Sequence, residues 1–141
     1  MMSRWTTEGC QLNKFELDID GDILRIAADT LGRIIVPDHL DNRIHIFNPN
    51  GARAMIINPH PNSGYSFKYP AGVDCDHEDN VYVCDLGHHR VVKFTRHGEY
   101  RGPVLSEFAD GVYDCHDVKV AAGRKMLYSH LQATYVKVFC F

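Results

Sequence analysis

Residues 76–98 read DHEDNVYVCDLGHHRVVKFTRHG, and residues 29–51 read DTLGRIIVPDHLDNRIHIFNPNG. Laid over one another without gaps, the two stretches pair Asp29 with Asp76, Val36 with Val83, Asp38 with Asp85, Arg43 with Arg90, Phe47 with Phe94 and Gly51 with Gly98. Every pair is separated by 47 residues, and the 141 residues make three such periods. Apolar positions follow the same offset: Ile34 with Val81, Ile44 with Val91, and Ile46 with the aliphatic stem of Lys93. A third copy from His116 to Phe139 keeps the apolar alternation and loses most of the marked residues. Self-similarity at a fixed period of this length signals a repeat architecture, in which each unit buries its faces against its neighbours.

Within each copy the pattern is that of short strands. In the first, residues 24–28, 33–36 and 43–47 alternate or run apolar, and Gly, Asn, Asp and Pro punctuate them. Residues 72–75, 81–84 and 91–94 repeat this in the second copy, and a fourth strand follows each tight turn, at 52–57 and 99–105. Four short strands per 40–50 residues is the signature of a β-propeller blade. The expected fold is therefore all-β: a three-blade partial propeller with blades of four antiparallel strands at about 24–58, 70–105 and 116–141, the third stopping after three strands. Residues 1–23 form an N-terminal extension in which 14–19 alternate as one outer strand should.

Composition narrows the class. Apolar residues are 45% of the chain and charged residues 23%, an ordinary globular mixture rather than a disordered one. No apolar run is long enough for a membrane helix, and the first residues lack the apolar centre of a signal peptide, so a cytoplasmic protein without membrane contact is expected. The net charge of −3 supplies no general field for nucleic acid. Five cysteines at wide, irregular spacings suit neither a zinc knuckle nor a redox pair, and are expected to be structural thiols.

The second copy also resembles a known family. Pro70, Gly72, Val73, Asp85, His89, Arg90, Phe94 and Gly98 fall on the pattern of the NHL repeat, and the first copy matches it at Gly32, Asp38, Asn42, Arg43, Phe47 and Gly51. The resemblance implies a propeller. It is similar to the propellers of tripartite-motif proteins, which bind RNA or partner proteins, and other NHL-like propellers are metal-dependent lyases or hydrolases. No nucleophile elbow, phosphate loop or His-Glu-x-x-His motif accompanies it here, and His116, opening an innermost strand, is a single residue without a ring of companions.

The expected function is accordingly a non-enzymatic recognition module for protein or single-stranded RNA, needing no cofactor and no metal, with a fragment or relative of a propeller enzyme as the alternative. Candidate binding residues lie on the loops joining second to third strands and blade to blade: His39, Arg43, Tyr65, Lys68, His88, His89 and Arg90. Rings and cations in such a mixture suit stacked bases or a peptide. Asp38–Arg43 and Asp85–Arg90, at equal spacing and register, are expected to pair across their loops and hold them. The open ends leave room for a homodimer, with each N-terminal strand completing the partner's third blade in a six-bladed ring.

Overall fold

The computed structural model describes residues 3–4, 12–13, 16–17, 19, 25–59, 62–122, 124–130 and 135–140. A short antiparallel pair, β1 (Ser3–Arg4) and β2 (Leu12–Asn13), precedes three larger sheets. The first sheet meanders through β3 (Ala27–Ala28), β4 (Ile34–Asp38), β5 (Arg43–Phe47) and β6 (Arg53–Ile57). The second runs through β7 (Pro70–Cys75), β8 (Val81–Asp85), β9 (Arg90–Phe94) and β10 (Tyr100–Ser106). A four-residue helix, α1 (Glu107–Asp110), leads into the third, with β11 (Cys115–Ala121), β12 (Lys125–His130) and β13 (Lys137–Cys140). Each strand pairs antiparallel with the next, so these are three propeller blades of four, four and three strands. Of the outer strand expected at 14–19, Lys14, Phe15 and Asp18 lie outside the described residues, while Glu16, Leu17 and Ile19 lie outside any strand.

Blades stack because their strands are apolar on both faces. Along β8 the odd and even positions point opposite ways, as pleating requires. Val81 and Val83 join Val92 and Phe94 against Ile35, Ile44, Ile46 and Ile57 of the first blade, with Phe67 from the connecting loop. Tyr82 and Cys84 join Val91 against Cys115, Val118, Met126 and Tyr128 of the third. Every residue of β8 is buried, as expected of a strand covered on both sides. Val36, His45 and Phe47, on the first blade's other face, are buried as well.

The repeat also sets the turns. Asp29 Oδ1 accepts from the amides of Leu31 and Arg33, and Asp76 Oδ1 accepts from those of Glu78 and Asn80. Gly51 and Gly98, at φ 88° and 82°, close the β5–β6 and β9–β10 turns in the left-handed region that favours glycine. Side chains then tie blade to blade. Asp79 accepts from the Thr30 amide at 2.8 Å and the Thr30 hydroxyl at 2.6 Å, and Asp74 accepts from the Val120 amide at 2.7 Å.

The cysteines correct the expectation of five thiols. Cys84 and Cys115 are joined as a disulfide across the interface of the second and third blades, with Cα atoms 5.6 Å apart. Their 31-residue separation gave no motif, because the contact depends on how two blades stack. Cys75 and Cys140 are free. Burial, reinforced by the Asp74 charge, pushes the Cys75 thiol up to about 12.

Candidate recognition face

Asp85 closes β8 with its carboxylate wholly buried, and three groups converge on it. The Lys68 amide donates to Oδ1 at 2.7 Å, Arg90 Nε donates to Oδ2 at 2.9 Å, and His88 Nδ1 stands 2.8 Å from Oδ2. A buried carboxylate needs such donors to offset its lost hydration. Arg90 adds a second tie, from Nη2 to the Ser66 carbonyl at 2.7 Å. One acid thus fixes the connection into the blade and the loop between β8 and β9. The Asp85–Arg90 pairing read from the sequence is present.

Its counterpart in the first blade is not. Asp38 and Arg43 are opposite one another in the ladder, yet their side chains part. Asp38 Oδ1 takes the amides of Leu40 and Asp41, and Oδ2 faces His45 Nε2 at 3.2 Å. Arg43 turns outward to Asp41 at 3.1 Å. The reason is His45, which stands where the second blade has Val92 and brings a donor to the buried acid. Arg53 Nη1 approaches the other ring nitrogen, so Nδ1 accepts and the neutral Nε2–H donates to Asp38. Burial lowers the His45 pKa from its ordinary value, and Arg53 adds to this against the opposing pull of Asp38.

The remaining candidates divide between packing and exposure. Tyr65 belongs to the packing: its ring stacks on Tyr100 with centroids 4.4 Å apart and meets Phe67 and Phe94 edge-on. His89 stacks on Tyr113 at 4.2 Å, and its Nδ1 accepts from the Asp114 amide. Tyr113 is held in turn by the Tyr128 hydroxyl, which accepts from its amide and donates to its carbonyl. His39 sits in the β4–β5 turn, and Lys68 is exposed beside Gly87. His116 is the second residue of β11, an inner strand, at a break in its pairing with β12.

His88 and Arg90 line a groove of about 610 Å³ with Pro103, Ser106, Glu107 and Phe108. Phe108 is fully exposed on α1. That short helix is capped at both ends: Ser106 Oγ accepts from the Ala109 amide, Asp110 accepts from the Ser106 amide, and Gly111 ends the turn at φ 66°. Phe108 is not among the candidate residues named from the sequence. Its signal was an apolar ring inside the polar run Ser106-Glu107-Phe108-Ala109-Asp110. Tyr69 and Tyr113 add two half-exposed rings on the same set of loops.

Comparison with known proteins agrees with this architecture. Residues 67–94 match the NHL repeat model. No curated protein matches the chain in sequence. Among solved structures, virginiamycin B lyase from Staphylococcus aureus is similar at a TM-score of 0.62 and 14% identity, covering 99% of this chain and 48% of the lyase. The RRP9 WD40 repeats give 0.67 and 14%, covering 95% of this chain and 40% of theirs. Hydrazine synthase of Kuenenia stuttgartiensis gives 0.66 and 8%, covering 90% and 36%. The chain spans about half the length of the lyase, and at these identities the likeness shows the propeller fold alone.

Proposed function

We propose that the chain is a non-enzymatic recognition module that binds a protein segment in the groove between the β8–β9 loop and α1. One observation carries this reading: the fully exposed Phe108 ring stands on a capped helix beside His88 and Arg90. An exposed aromatic at the edge of a preformed groove is the kind of anchor on which peptide binding concentrates. Protein is favoured over RNA by the charges. Arg43 and Arg90 are engaged by Asp41 and Asp85, and Glu107 lies in the groove, which leaves few cations for a phosphate chain.

Selection of displayed peptides on the full chain, followed by fluorescence polarisation, tests the reading. Recovered peptides should share a sequence pattern and lose about tenfold in affinity to Phe108→Ala. Peptides indifferent to Phe108 would overturn it, and salt-dependent binding of short single-stranded RNA in its place would move the assignment to nucleic acid. The metal-dependent lyase or hydrolase alternative draws support from fold likeness only; stoichiometric zinc or calcium in the purified protein would strengthen it.

A further inference from the structure

On the opposite end of the blades, the β7–β8 turn of the second blade and the β11–β12 turn of the third enclose a cleft of about 630 Å³. Tyr82 and Lys93 lie inside it, Val120, Ala121 and Ala122 form one wall, and Arg124 stands at the rim. The turns are held in place: Asp74 fixes the Val120 amide, and Asp76 takes the Tyr82 hydroxyl at 3.0 Å. The cleft exists where the repeat departs from itself. Lys93 occupies the position of Ile46, whose side chain fills the same layer between the first and second blades. On the β10 side its neighbour is Gly102, where an added Cβ would meet open space.

Lys93 Nζ lies 5.8 Å from the Tyr82 ring centroid, and among the described residues no carboxylate pairs with it or with Arg124. Of the nearby acids Asp76 is otherwise occupied, and Glu78 is exposed to solvent. Asp76 accepts from two backbone amides, from Asn80 Nδ2 and from Tyr82, while Glu78 faces His77. Those hydrogen bonds outweigh the upward push of burial and keep the Asp76 carboxyl below its ordinary range, so it stays an occupied acceptor at neutral pH. We infer that this cleft is a second binding site, for a small monocarboxylate with an apolar body. Its carboxylate would meet Lys93 and Arg124, and its apolar part the Tyr82 edge and the Val120–Ala122 wall. Two cations tempered by Glu78 suit a single negative charge better than the double charge of a phosphate.

Benzoate titrated into the full chain, followed by amide NMR shifts, tests the assignment, with inorganic phosphate as the comparison. Benzoate should bind saturably, shift Ala121 and Ala122, and lose about tenfold in affinity in Lys93→Met and in Arg124→Gln. Both variants should unfold at the wild-type temperature, because Met keeps the apolar stem and Arg124 is exposed. Phe108→Ala should leave benzoate binding unchanged, which separates this site from the groove on the other face. Absence of saturation, affinity indifferent to Lys93 and Arg124, or tighter binding of phosphate would each overturn the proposal.

Discussion

Arg90 Nε lies 2.9 Å from Oδ2 of Asp85, and both residues stand 47 positions beyond a pair, Asp38 and Arg43, whose side chains never meet. The backbone register is the same in the two blades, since Asp38↔Arg43 and Asp85↔Arg90 are equivalent partners at the ends of their ladders. What differs is a third residue. His45 satisfies its acid from within the sheet, so Arg43 is released to Asp41 on the surface. Two copies of one motif thereby reach different pairings from the same spacing, one Arg on a buried acid and the other on a half-exposed one.

That difference is measurable. Asp85→Ala leaves the Lys68 amide, His88 and Arg90 without their shared acceptor, and should cost about 3 kcal/mol in urea unfolding. Asp41→Ala breaks only a half-exposed pair, and should cost less than about 1 kcal/mol.

Acid should destabilise the protein in two stages. The folded His45 pKa lies below its ordinary 6.5, chiefly through burial, so the unfolded chain binds the proton first. Stability from this group is full above about 6.5 and falls as pH drops toward the folded value. Asp38, Asp76 and Asp79 lie below their ordinary 3.8, and their contribution is lost only as pH falls beneath that value. For Asp38 burial alone would raise the pKa, and hydrogen bonds from the Asp41 amide, His45 and the Leu40 amide overcome it. Melting temperatures from pH 8 to 2 should show both stages, and His45→Gln, which can donate to Asp38 and accept from Arg53, should remove the upper one.

The Cys84–Cys115 disulfide closes a 31-residue separation, for which loop entropy suggests a stabilisation of about 3–4 kcal/mol. Intact mass under non-reducing conditions should show the bond. Adding reductant, or replacing both residues with serine, should lower the urea midpoint accordingly. A protein isolated from a reducing cytoplasm should carry both thiols free.

Gly72 is required by the approach of two inner strands. A Cβ there would lie 2.5 Å from the Asp117 Cα, which is backbone and cannot swing aside. Gly72→Ala should cost about 1–3 kcal/mol by forcing β7 from β11, read as a fall in melting temperature.

The homodimer expected from the open ends of the blades has its own check. Val136 and Val138 are exposed on the third blade, the edge at which that expectation places the partner's N-terminal strand. Light scattering should return the mass of a dimer, and deletion of residues 1–20 should dissociate or precipitate it. A soluble monomer in both forms ends that proposal.

The amino-acid sequence by itself determined the strands of the three blades, their order and the blade period, but not the outer strand expected at 14–19, where Glu16, Leu17 and Ile19 lie outside any strand. The short apolar run at residues 81–84, turn residues such as Asp76 and Gly98, and the 47-residue offset are local properties that the backbone must obey wherever it is placed. It also marked Asp85 and Arg90, whose contact lies within one hairpin, but the same spacing failed at Asp38 and Arg43, where His45 takes the acid instead. Tertiary structure alone decided the rest. The Cys84–Cys115 bond, the stacking of His89 on Tyr113, the burial of Tyr65 among Phe67, Phe94 and Tyr100, and the cleft at Lys93 each depend on how one blade, or its connecting loop, lies against the next. Blade stacking is set by the summed shape of two apolar faces rather than by any spacing along the chain. A ring or a thiol in the sequence therefore carries no mark of whether its neighbour will be solvent or another blade.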